Sequence, residues 1–162
     1  MADDFEVRLA GVDELKAALR GLPEKLRKRV LLGALRKAAR AISSEAKTLA
    51  PVLKVAKSGR TPGTVRKRIA VRASKFARQA GDVGVFVGVK PLRGGADARR
   101  YGKAGAKNPH DPFYWRFVEF GTKKMAGRPF LAPAAKSKGD AAIATFLREV
   151  VPQIQKLNRK DT

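Results

Sequence analysis

One long apolar stripe constrains this chain more than any other feature. From Glu24 to Leu49 the residues Leu26, Val30, Ala34, Ala38, Ile42 and Leu49 recur at helical spacing, widened by Leu31 and Leu35. Pro23 precedes the stripe and Pro51 follows it. Proline fits a first helical turn, where its missing N–H costs nothing, and it stops a helix that has already run. The pattern predicts an amphipathic helix of about seven turns. One side of it must be covered, and its alanines let a sheet or a second helix come close.

The rest of the chain supplies candidates for that cover. Phe5-Glu-Val-Arg-Leu9 alternates as a half-buried strand does, and Val12–Arg20 reads as a short helix closed by Gly21. The stretch 52–64 is a long basic loop punctuated by Gly59, Pro62 and Gly63. Residues 65–73 alternate with Arg66, Arg68 and Arg72 on a basic face, and 82–90 is the clearest strand of all. The two are expected to pair as an antiparallel hairpin. Gly84 and Gly88 share one side of the second strand, which predicts a bulky neighbour there. Residues 91–112 are rich in glycine and are expected to form a second long basic loop that orders only on assembly. For 113–120 a short helix is preferred over a strand, with Phe113, Phe117 and Phe120 on one face. A second amphipathic helix is predicted over 134–157, kinked or divided at Pro152. Residues 158–162 read as a loose tail. The fold class expected is α+β: a small antiparallel sheet flanked by two long helices, in a single domain over 1–157.

Charge narrows the function. The chain has 162 residues, 36 Lys or Arg against 14 Asp or Glu, and a formal net charge of +22. Solubility asks for a net charge of only about 2–8 in a small domain. No acidic residue falls between Glu45 and Asp82, and only Asp97 relieves the stretch from Lys90 to Lys107. Such a surplus points to nucleic acid or to an acidic partner surface. No apolar run reaches the roughly 18 residues of a membrane span. The acidic start MADDFEVRLAG does not read as a secretion signal.

Chemistry is scarce. There is no cysteine and one histidine, which removes thiolate and multi-histidine metal sites. His110 and Asp111 are the one histidine–carboxylate neighbour pair, in a proline-flanked loop without a nucleophile or oxyanion site. Glu119 lacks the second carboxylate that acid–base chemistry needs. It is better placed to anchor an arginine or a backbone N–H. No phosphate loop or dinucleotide fingerprint is present. No enzyme activity and no cofactor are expected.

The segment Tyr114-Trp-Arg-Phe-Val-Glu-Phe-Gly-Thr122, followed by Lys123-Lys-Met-Ala-Gly-Arg-Pro-Phe-Leu-Ala-Pro-Ala134, resembles the small neck and tail-completion proteins of long-tailed bacteriophages. The matching positions are Val118, Glu119, Phe120, Gly121, Thr122, Pro129, Phe130, Leu131, Pro133 and Ala134. Gly11-Val-Asp-Glu-Leu, the alanine-rich helix ending at Pro51 and Thr61-Pro-Gly-Thr add to the likeness. The long, glycine-rich stretch 91–112 departs from it. The resemblance implies a non-enzymatic virion protein made in the host cytoplasm. It implies a homo-oligomeric ring, commonly of six, between a head-closure or connector protein and the tail tube or tail terminator, around the channel that genomic DNA crosses.

The motif also has a physical reading of its own. Gly121 permits a turn that a Cβ would hinder, Thr122 pins it, Pro129 fixes the chain ahead of Phe130, and Pro133 suits the start of a helix. The cations expected to face DNA or an acidic partner ring are Lys54, Lys57, Arg60, Arg66, Lys67, Arg68, Arg72, Arg93, Arg99, Arg100 and Lys103. A basic nucleic-acid-binding module is the alternative that the charge alone allows, although it leaves the Glu-Phe-Gly-Thr and Pro-Phe-Leu segments without a purpose.

Overall fold

A computed structural model describes residues 17, 19–20, 22–53 and 60–158. The predicted strand over 5–9, most of the helix over 12–20, Lys54, Lys57 and the end of the tail lie outside the described residues.

The long helix forms as its stripe dictates. α1 spans Glu24–Leu49 and α6 spans Leu131–Asn158. They pack antiparallel. Val30 and Ala34 near the start of α1 meet Val150 and Ile154 near the end of α6, whereas Ala46 and Ala50 meet Phe130 and Ala134 at the opposite end. Small residues make this possible: Ala34, Ala46 and Ala134 are fully buried. Burying an aliphatic side chain of the size of Val150 or Ile154 contributes about 1.5–3 kcal/mol. The buried face of α1 differs from the predicted stripe at one end, where Ala46 and Ala50 turn inward and Leu49 is left exposed. The step of four from Ile42 leads to Ala46 and Ala50, so Leu49 falls off the stripe. At the other helix, α6 begins three residues earlier than predicted and runs on through Pro152 undivided.

Among the described residues the sheet is a two-stranded antiparallel pair, β1 (Ile69–Ala73) and β2 (Val85–Val89), in register from Ile69 opposite Val89 to Ala73 opposite Val85. Ile69 and Val89 close onto Ala46 of α1 and onto Ala50, the residue just past its end. The hairpin forms as its alternation predicts, but its first strand begins late. Residues Thr64–Arg68 form a helical turn, α2, which starts after Gly63 at φ 73°. Thr64 and Val65 are adjacent and both buried, as successive residues of a helical turn can be. The Thr64 hydroxyl holds the turn by donating to the Thr61 carbonyl at 2.6 Å.

A short helix, α3 (Lys75–Gln79), joins β1 to β2, and the Ser74 hydroxyl accepts the Ala77 N–H at its start. The bulky neighbour expected over Gly84 and Gly88 is absent at Gly84, which meets the small Ala77 and Ser74, and at Gly88 it is Phe86 of the same strand. A Cβ on Gly84 would meet the Ala77 Cβ at 3.0 Å, and the Phe86 ring lies 3.6 Å from where one on Gly88 would stand. Residues 91–112 are not a structureless loop: they carry α4 (Ala96–Tyr101), and the Asp97 carboxylate binds Arg68. Asn108 gathers the remainder by donating to the carbonyls of Tyr101 and Lys103 at 2.6 and 2.8 Å. The aromatic segment is a helix, α5 (Trp115–Phe120), as preferred, but it starts two residues later than expected, so Phe113 lies in the turn before it and does not share its face. The architecture is α+β.

Candidate assembly surface

Glu119 sits inside the protein, 5% exposed, on the inner side of α5. Its carboxylate accepts three backbone N–H groups at the start of α6. Oε2 takes Phe130 at 2.8 Å and Leu131 at 3.1 Å, and Oε1 takes Ala132 at 3.1 Å. A helix leaves four N–H groups without an internal partner at its N-terminus. The fourth position here is Pro133, which has no N–H. One carboxylate and one proline therefore satisfy the whole end, and the negative charge sits where the helix dipole is positive. This is the anchoring role read from the sequence, with helix N–H groups as the partners.

The turn between the two helices is closed by a pair of glycines. Gly121 ends α5 at φ 80°, and a Cβ there would come within 2.7 Å of the Gly127 nitrogen. A Cβ on Gly127 would meet the Glu119 carbonyl oxygen at 3.0 Å. Thr122 and Met125 exchange backbone hydrogen bonds at 2.8 and 3.2 Å, and the Arg128 N–H reaches the Val118 carbonyl at 2.7 Å. Phe130 then enters the core fully buried. Sequence reasoning misses Gly127, although its signal is present as a second glycine six residues after the first.

With Glu119 pointing inward, the opposite face of α5 points outward. Phe117 is 51% exposed and Phe120 78% exposed. Trp115 and Val118 pack against the core instead. α5 is therefore a ridge fixed at its base, with phenylalanines on its crest and an apolar groove on each flank.

The predicted cations divide into two groups. Arg68 is spent on its own chain: it bonds both oxygens of Asp97 at 3.2 and 3.1 Å and the carbonyls of Lys90 and Pro91. Arg60 donates to the carbonyls of Ala106 and Asn108 and lies over the rings of Phe113 and Tyr114. Arg72 lies over Phe86, and burial, with the nearby charges of Arg93 and Arg68, lowers its pKa. Arg66, Lys67, Arg93, Arg99, Arg100 and Lys103 are exposed. The Arg68–Asp97 pair joins α2, which carries Arg66 and Lys67, to α4, which carries Arg99 and Arg100. Asp97 also faces Lys90 at 3.2 Å. In the sequence it stands out only as an interruption of positive charge.

The histidine–carboxylate pair does not assemble. Asp111 is buried and accepts the Gly105 N–H at 2.6 Å, while the exposed His110 ring lies near Thr61 and Tyr101. Among the described residues no group of three His, Cys, Asp or Glu side chains is placed to hold a metal. No helix among them is long and apolar enough to cross a membrane.

A small sheet clasped by two long helices, with a helix cap and glycine turn presenting an aromatic ridge, defines an α+β scaffold built around a fixed surface. Residues 13–121 match the model of the family described as "Bacteriophage HK97-gp10, putative tail-component". The chain belongs to that family of phage tail components. The match takes in Val118–Gly121 and stops short of Pro129–Leu131. No curated protein and no solved structure matches the chain.

Proposed function

We propose that this tail component is a structural protein of the virion's head–tail junction. Copies close into a ring, expected to be a hexamer, between the head-closure or connector protein and the tail tube or its terminator. Genomic DNA passes through the lumen without sequence-specific contact. The whole of 1–157 acts as one domain, and no catalytic step is involved.

The observation that carries this reading is the outward face of α5. Two exposed phenylalanines on a helix locked from below are poor design for a solitary soluble protein and suit a surface meant to be covered. Of the Val118–Thr122 and Pro129–Leu131 motif residues, Glu119 and Phe130 are buried beneath that surface and Phe120 stands on it. The exposed cations Arg66, Lys67, Arg93, Arg99, Arg100 and Lys103, with Lys54 and Lys57 assigned from sequence, face DNA or an acidic neighbouring ring. Arg60, Arg68 and Arg72 support the fold behind them.

Particles assembled without this protein test the proposal in the electron microscope. Filled heads and separate tails are expected. Normal, joined particles would refute a junction role.

A further inference from the structure

The two flanks of α5 differ in charge. One groove lies between α1, β2, α5 and α6, with Ile42, Val87, Trp115, Ile143 and Phe146 among its walls. No Lys or Arg lines it among the described residues, although 36 of the 162 residues in the chain are Lys or Arg. Its single acidic neighbour, Glu119, is occupied by the start of α6. On the other flank Leu53, Phe117 and Met125 form an exposed apolar face, 44%, 51% and 46% accessible, beside Arg60 and Arg128.

We infer that a second copy of this chain docks head to tail here, setting its Leu53–Phe117–Met125 face into the cation-free groove of its neighbour. The inference rests on the ring reading and names its contact. Each copy carries a formal net charge of +22, so most approaches between copies bring like charges together. The groove is the broad exception. The walls of the groove carry no cation among the described residues, although Arg72 stacks on Phe86 at its edge and Arg60 and Arg128 flank the incoming face. An unpaired buried charge is what most penalises an interface, so the contact requires those three arginines to stay at its rim. The donor and acceptor faces are different surfaces of one chain. Such a contact is heterologous, and it closes into a ring when the rotation between copies permits. Both faces share α5, so the Glu119 cap holds them at a fixed angle. Salt acts on this contact in a distinctive direction. Screening lowers the repulsion between copies, so self-association strengthens as salt rises, opposite to a contact with DNA.

Phe117 replaced by p-benzoylphenylalanine in the full chain tests the contact by photo-cross-linking and peptide mapping. Cross-links between copies into the Val85–Val87 or Ile143–Phe146 stretches are expected. Ile143→Glu, checked for an unchanged thermal unfolding profile, should lower their yield by about tenfold or more, since tenfold corresponds to only 1.4 kcal/mol. Phe117→Ala, at an exposed position, should weaken self-association without unfolding the chain. Cross-links to residues 1–16 of the same chain would mean that the groove is covered from within, and would overturn the contact. So would links from one Phe117 face to another, or self-association that Ile143→Glu leaves unchanged. A ring seen in particles with cross-links elsewhere removes only this contact, whereas copies that never associate, in solution or in the particle, remove the ring reading as well.

Discussion

The carboxylate of Glu119 binds the backbone N–H of Phe130 at 2.8 Å, eleven residues further along the chain. That bond, with those to Leu131 and Ala132, joins the end of one helix to the start of another and fixes the side of α5 that faces out.

Loss of the carboxylate should be costly. Glu119→Ala strands the Phe130 N–H in a buried site and those of Leu131 and Ala132 in part-buried ones, and an unsatisfied buried group costs about 1–3 kcal/mol. A loss of about 3 kcal/mol or more is expected in urea unfolding. Glu119→Gln keeps an acceptor but sets an NH₂ against donors, and should fall between the two at about 1–2 kcal/mol. Equal stability of all three proteins would show that the cap contributes nothing.

Gly121 and Gly33 should respond to alanine with opposite signs. At Gly121 the positive φ and the 2.7 Å approach to Gly127 predict a loss of about 2 kcal/mol or more for Gly121→Ala. Gly33 lies within α1 with open space where a Cβ would go, so Gly33→Ala should gain about 1 kcal/mol. Thermal unfolding of both variants distinguishes a glycine required by geometry from one that is not.

Acid should weaken the junction of α2 with α4. Hydrogen bonds from Arg68 first, then Lys90, hold the Asp97 carboxyl at about 2, below its ordinary 3.8. Between those values the unfolded chain takes up a proton that the native chain refuses, so acid favours unfolding. The contribution is complete above about pH 4 and is lost as pH falls through about 2. Wild type should exceed Asp97→Asn in urea midpoint near neutrality, and the gap should close across that window. A gap independent of pH would contradict the pairing.

The exposed cations should govern any binding of DNA. Removing Arg66, Lys67, Arg99 and Arg100 should weaken duplex binding for all sequences alike, and lower the salt slope by about one for each phosphate no longer neutralised. Arg68→Ala should act chiefly on stability, because its guanidinium serves Asp97 and two carbonyls. Filter binding across a salt series measures the first effect, and urea unfolding the second.

The helices and the hairpin are legible in the sequence because periodicity reports burial directly. Val30, Ala34 and Ala38 on α1, and Val150 and Ile154 on α6, lie inside as their spacing requires. The α2 turn reads wrongly as strand because Val65, Ile69 and Val71 alternate well, and nothing in five residues outweighs that except the glycine turn before them. The inward roles of Arg60 and Arg68 are hidden for a different reason. Their partners, the carbonyls of Ala106 and Pro91 and the side chain of Asp97, are far along the chain. In a chain this basic, residue type alone does not separate a structural arginine from an exposed one. Glu119 is readable as an anchor, but its partners emerge only because α6 starts at Leu131, earlier than its stripe suggests.

Cryo-electron microscopy of the intact virion tests the central claim most directly. A closed ring of copies at the head–tail junction is expected, with the α1–α6 pair recognisable in each subunit, the α5 ridges covered and the exposed cations turned to the lumen or to an acidic ring. Density for single, separate copies, or for copies remote from the path of the genome, would contradict it.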